Sequence, residues 1–181
     1  MKTKRNFIGL TIFAALLYVS QALHAQQDTH VTTQKFIAYS LYNFSKLIDW
    51  PNSASATSFR IVIVGDKTVY DELLTLSKNR KVFNASYDIC FCKKFEELEG
   101  TCQIIYLSNL YSGKVQDLDQ NPSLKNALLV TERQGMASYG SVISFTTTDK
   151  GTMGFEIAKE NAKKKQLSIR SQLERMAVAV L

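Results

Sequence analysis

The chain has 181 residues, with 22 Lys and Arg against 16 Asp and Glu, a formal net charge of +6, three cysteines and two histidines. Its opening is a basic run, Lys2, Lys4 and Arg5, then the apolar block Phe7 to Val19, then small and polar residues around "SQALHAQ", which is the layout of a secretory signal peptide. Three basic residues and no acidic one belong to that segment, so the remainder carries only +3, and a nucleic-acid surface is set aside.

The apolar block is shorter than the roughly 20 residues that cross a bilayer, so the chain is not expected to span a membrane. Cleavage is expected after Ala25, with Ala22 as the alternative, giving a signal peptide at 1–25 and one domain at 26–181. That remainder falls in the size range of a single domain and contains no repeat or low-complexity tract.

From Thr32 to Asp49, apolar Phe36, Ile37, Leu41, Phe44, Leu47 and Ile48 recur at three- and four-residue steps, the period of an amphipathic helix. Pro51 ends it. "SFRIVIVGD" predicts a buried strand closed by Gly65 and Asp66, and "TVYDELLTLSK" a helix capped by Thr68. A strand near Ala85 to Cys92, a short helix in "KKFEELEG", a strand in "CQIIYLS" and another in "ALLVTE" follow. "SVISFTTT" and "TMGFEIA" around "DKG" predict an antiparallel hairpin. Helices over Lys159 to Lys165 and Ser171 to Val180, joined by "QLSI", finish the chain. Strands alternating with helices predict a three-layer α/β fold: a Rossmann-like, mostly parallel sheet, extended by a C-terminal antiparallel hairpin and closed by terminal helices.

Chemistry is sparse along this pattern. One glycine follows the first strand where a dinucleotide fingerprint needs three, so no cofactor is expected. His24 leaves with the signal peptide and His30 lies in a polar leader, which provides no rigid general base. "CFC" is not a paired zinc knuckle. The acidic pairs Asp71 with Glu72 and Glu96 with Glu97 read as solvated helix faces, Asp117 and Asp119 as a loop, and Lys163 to Lys165 as an exposed helix end. No catalytic or metal set emerges.

In an oxidising compartment three cysteines imply one bridge and one leftover thiol. Two residues apart in a strand, Cys90 and Cys92 are poorly placed to pair with each other. Cys102 is therefore expected to bond Cys92, with Cys90 as the alternative. On the first helix, Tyr39, Tyr42 and Lys46 fall off the core stripe. They read either as an interface patch or as cover for the sheet edge with hydroxyls in water.

"FIAYSLYNFSKLIDWP", "FRIVIVGD", "TCQIIYLS", "GMASYGSVISF" and "FEIAKENAKKKQLSIRSQLERMAVAV" resemble, in order and spacing, the YfiR-like periplasmic proteins. The resemblance implies a non-enzymatic periplasmic regulator, a repressor that binds the periplasmic domain of an inner-membrane sensor, a diguanylate cyclase or a kinase, and so sets cyclic-di-GMP output. An outer-membrane partner and a homodimer are further associations it allows. The contact residues expected on this reading are Glu156, Arg170, Ser171 and Arg175 beside the terminal helix, with Tyr39 and Tyr42 as a second patch. The chain departs from the family where asparagine usually follows Glu-Ile and Ala158 stands here, and where glycine often precedes the leucine before the last helix and Gln166 stands here. A reading from another class is a small-molecule domain with its ligand at the carboxyl ends of the parallel strands, near Gly65, Asp66 and Ser108.

Overall fold

The computed structural model describes residues 33–51 and 56–181; the expected signal peptide and His30 lie outside the described residues. Helix α1 (residues 33–47) carries Ile37, Leu41, Phe44 and, just beyond its end, Ile48 on the face that meets the sheet, all of them fully buried. The helix stops before Ile48 because Ile48–Asp49 (β1) pairs antiparallel with Ser168–Ile169 (β9) in a small second sheet. Trp50 is buried behind it, edge-on to Phe59 with ring centroids 5.1 Å apart, and donates from Nε1 to the Ser45 carbonyl at 3.3 Å.

Ser58–Val64 (β2) leads through Gly65 into helix Lys67–Ser77 (α2), and Lys81–Val82 (β3) forms a tight hairpin with Ala85–Cys92 (β4). Ile104–Leu107 (β5), helix Val115–Asp119 (α3) and Leu128–Thr131 (β6) come next. Ile143–Thr147 (β7), Met153–Ile157 (β8), helix Lys159–Lys164 (α4), β9, helix Ser171–Glu174 (α5) and Ala179–Val180 (β10) complete the chain. The main sheet has eight strands in the order β10-β8-β7-β6-β5-β2-β4-β3. Its centre, β4-β2-β5-β6-β7, is parallel; β7 with β8 and β3 with β4 are antiparallel, and β10 lies parallel to β8.

Because side chains alternate across a strand, the sheet separates two cores. One face carries Phe59, Ile61, Ile63, Tyr106, Phe145 and Phe155 against α1, α2 and α5. The other carries Val62, Val64, Ile105, Leu107 and Leu129 against α3 and short 3-10 turns. Phe145 is the hub of the first, with the rings of Phe36, Phe44 and Tyr106 6.2 to 6.4 Å away; a buried ring of this size contributes about 2–3 kcal/mol. The three-layer α/β architecture is therefore as expected, and the last hairpin is antiparallel as its "DKG" turn implies.

Several local expectations are corrected. The cap of α2 is Asp66, not Thr68: its Oδ1 accepts from the backbone N–H of Thr68 at 2.9 Å and of Val69 at 3.0 Å. "KKFEELEG" makes only a 3-10 turn, Phe95–Glu97, and Asp117 and Asp119 sit in α3 rather than in a loop. Lys165 is buried, its Nζ paired with Asp119 Oδ1 at 3.1 Å, so it is not part of an exposed basic end. The final helix is one turn long. Val178 and Val180, β-branched and suited to extended backbone, belong to a segment that joins the sheet beside β8.

Candidate binding surfaces

Tyr39 and Tyr42, three residues apart on α1, have different fates. Tyr39 is 53% exposed, whereas Tyr42 is only 7% exposed and belongs to the core rather than to an open patch. Its ring packs on Tyr87 at 5.7 Å between centroids, and Lys46 Nζ lies 3.6 Å from its centroid. Arg80 stacks over the same ring at 5.4 Å and donates from Nη1 to the Tyr42 hydroxyl at 3.1 Å. Ser45 Oγ gives its proton to the Tyr42 carbonyl at 2.7 Å, so the 2.7 Å contact between Ser45 Oγ and Tyr87 must be donated by the Tyr87 hydroxyl. Burial pushes Tyr42 up, but hydrogen bonds with Lys46 and Arg80 outweigh it and hold the phenol below its ordinary value. Burial pushes Tyr87 up to about 12.

The expected terminal surface is split by the sheet. Glu156 pairs in register with Ser144 on β7, and because its neighbour Phe155 fills the α1 face, Glu156 projects to the opposite one. Gln134 Nε2 donates to Glu156 Oε1 there at 3.4 Å. Arg170, Ser171 and Arg175 stand on the α1 side, all exposed. Arg170 donates from Nε and Nη2 to Asp49 Oδ1 at 3.0 and 2.6 Å, and that bond raises its pKa. Lys159 Nζ pairs with Glu174 at 2.7 Å. Beyond α5 lies a feature the sequence reading did not single out: Met176, Val178, Val180 and Leu181 are 42 to 59% exposed at the β10 edge. The run "MAVAVL" carried that signal in its alternation, but a helical reading hid it.

At the carboxyl ends of β2 and β5 the strand order reverses, since β2 connects toward β4 and β5 toward β6. That is where an open α/β sheet holds ligands. Around Gly65 that crevice is closely packed. Gly65 has φ +83, and a Cβ on it would collide with Ser108 Oγ and the Tyr111 ring. Asp66 is consumed as the α2 cap and as acceptor from Gln34 Nε2 at 2.9 Å. Gly65 and Asp66 thus serve the packing and capping of the β2–α2 turn.

The expected bridge of Cys102 to Cys92 or Cys90 is not formed: all three cysteines are free thiols. The sheet order explains it. Strand β2 lies between β4, which bears Cys90 and Cys92, and β5, which Cys102 precedes. Two strand spacings make roughly 9–10 Å, beyond the ~7 Å over which Cα atoms can be bridged. Arg60 of β2 fills the gap, donating from Nε to Cys90 Sγ at 3.3 Å. Cys92 Sγ donates to the Glu97 carbonyl at 3.6 Å. Burial pushes the Cys92 thiol up and the Cys102 thiol up to about 12.

Among the described residues no cluster of His, Cys, Asp and Glu could hold a metal ion, and no helix is long and apolar enough to cross a membrane. The sequence from residue 34 to 178 matches the YfiR/HmsC-like family, a span that starts in α1 and runs to the edge of β10. The chain belongs to that family. No curated protein matches it. Against the family pattern, Ala158 occupies the N-cap position of α4 and makes no side-chain cap bond. Gln166 has φ +58, the left-handed conformation for which glycine is suited. Both departures thus fall at the two ends of one short helix.

Proposed function

We propose that the protein is a periplasmic, non-enzymatic adaptor that represses a membrane diguanylate cyclase by binding the cyclase's periplasmic domain. The observation that carries this reading is membership of the YfiR/HmsC-like family across nearly the whole described fold. A signal peptide over residues 1–25 followed by one domain over 26–181 is part of the proposal. Repression of this kind requires only that the adaptor prefer the inactive state of its target, and any competitor for the adaptor then relieves it.

The contact surface is assigned to the terminal segment, where Arg170, Ser171 and Arg175 border the exposed Met176, Val178, Val180 and Leu181. Apolar side chains grouped at a sheet edge and rimmed by charge have the composition of a protein-binding surface. Glu156 contributes from the other face of the same edge, and Tyr39 is the exposed member of the α1 patch. Deleting the gene should raise cellular cyclic-di-GMP, and supplying the wild-type chain should restore it. A chain carrying Arg175→Glu with Val178→Asp should fold as the wild type does and fail to restore it; full restoration would remove the terminal segment from the contact.

A further inference from the structure

The sheet edge opposite β10 is β3, and beside it lies an open cleft of about 790 Å³ lined by α2, β3 and β4. Its rim bears Lys78, Arg80 and Lys81, and no carboxylate lines it. These cations also pair with no carboxylate among the described residues, although Arg60, Lys67, Lys114, Lys159, Lys165 and Arg170 all do. Arg80 is held in place by the Tyr42 ring and hydroxyl, so its remaining N–H groups are presented without further ordering. Half-buried Tyr87 and exposed Leu74 supply apolar lining.

Among the described residues, the outward backbone of this edge is unpaired as well. Phe83 and Asn84 both have positive φ, +48 and +69, so the β3–β4 turn is of the two-residue hairpin type. In such a hairpin the flanking pair, Val82 with Ala85, exchanges both hydrogen bonds. The next pair, Lys81 with Ser86, therefore turns its N–H and C=O groups outward. Ser86 uses its outward N–H on the Thr57 carbonyl at 3.1 Å. Lys81 points its own into the space at the sheet edge, next to three cationic side chains.

We infer that this cleft docks an acidic, extended segment of a protein partner, which adds to β3 as an edge strand: main-chain bonds form with Lys81, and carboxylates meet Lys78, Arg80 and Lys81. Charge complementarity selects the occupant, and the extended form follows from the free backbone edge. This site is separate from the terminal surface proposed above, and each stands or falls without the other.

The test is fluorescence anisotropy of the full chain with a labelled peptide alternating glutamate and valine. The peptide should bind, more weakly as salt is raised, and Lys78→Glu with Lys81→Glu should weaken it about tenfold while leaving the melting temperature unchanged. A peptide of the same sequence with alternate N-methyl groups, which removes main-chain donors, should also lose about tenfold. Hydrogen exchange in the wild-type chain should slow at the Lys81 amide on peptide addition, a readout that needs no variant. Equal affinity for the charge-reversed chain, equal affinity for the N-methylated peptide, or no slowing at Lys81 would each overturn the inference. So would vesicles of phosphatidylglycerol and phosphatidylcholine binding through Lys78 and Lys81 while the peptide does not.

Discussion

Leu173 is the buried residue of α5, with no exposed surface, and it ties the terminal segment to the core formed by α1 and the sheet. Leu173→Ala removes that anchor. Leucine-to-alanine changes in closed cores cost about 2.7–5 kcal/mol, and a one-turn helix near the chain end relaxes more readily than a closed core, which places this one near 3 kcal/mol. For a chain of this size each kcal/mol lowers the melting temperature by roughly 2–4 °C, so a fall of about 6–12 °C is expected. Urea denaturation gives the free energy, and native-state hydrogen exchange locates it. The amides of Val178 and Leu181, bonded to the Phe155 carbonyl at 2.9 Å and the Ile157 carbonyl at 2.8 Å, should lose protection first. A loss below about 1 kcal/mol, with both amides as protected as before, would refute the claim that α5 positions the β10 edge.

The two ends of α4 are open to improvement. Ala158→Asn supplies the missing N-cap acceptor and should add about 1 kcal/mol in a thermal or urea titration. Gln166→Gly relieves the left-handed backbone and should add about 0.5–1 kcal/mol, offset in part by loss of the bond from Asn126 Nδ2 to Gln166 Oε1. Alkaline stability draws on four groups that burial holds protonated: Cys92 and Tyr106, both raised, Cys102, raised from 9.0 to about 12, and Tyr87, raised from 10.0 to about 12. The folded state binds their protons more tightly than the unfolded one, so this contribution is intact below pH 9 and falls as pH rises from 9 through 12. Cys102→Ala should flatten the lower part of that fall in melting temperature against pH. Alkylation of the unfolded chain without reductant should label Cys90, Cys92 and Cys102 alike; a chain that takes a single label and is two hydrogen atoms lighter than its three-thiol form before labelling would restore a bridge.

How much of this was legible in the sequence depended on the range of the interaction. The place of β4 was readable because "ASYDICFC" is closed by turn residues on one side and lysines on the other. The parallel order of the central strands followed from their alternation with helices, a local pattern. Tyr42 was misplaced because the burial of α1 extends beyond a single stripe: β1 and β9 pair beside it, and Arg80 and Tyr87 close over a face that periodicity alone assigns to solvent. That partner lies far along the chain. The final segment failed in the opposite direction, since good helix formers continue through Arg175, Met176 and Ala177 while the helix ends at Glu174, and pairing with β8 overrides their propensity. The cysteine pairing needed the strand order itself. No spacing in "CFC" shows that β2 will pass between Cys90 and Cys102.

The exposure of the charged residues near the terminal edge was legible, and that of its apolar residues was not. Arg170, Ser171 and Arg175 emerge exposed on one side of the terminal edge, while Glu156 falls on the other. The cationic cleft at β3 was missed altogether, because β3 is two residues long and its neighbour Arg80 gains meaning only when stacked on Tyr42.

The central claim, repression of a membrane cyclase, is tested most directly by cellular cyclic-di-GMP in three strains: gene deleted, deletion supplied with the wild-type chain, and deletion supplied with the Arg175→Glu, Val178→Asp chain. The expected result is a high level in the first, a low level in the second and a high level again in the third, with the variant exported and folded. An unchanged level on deletion would contradict the account.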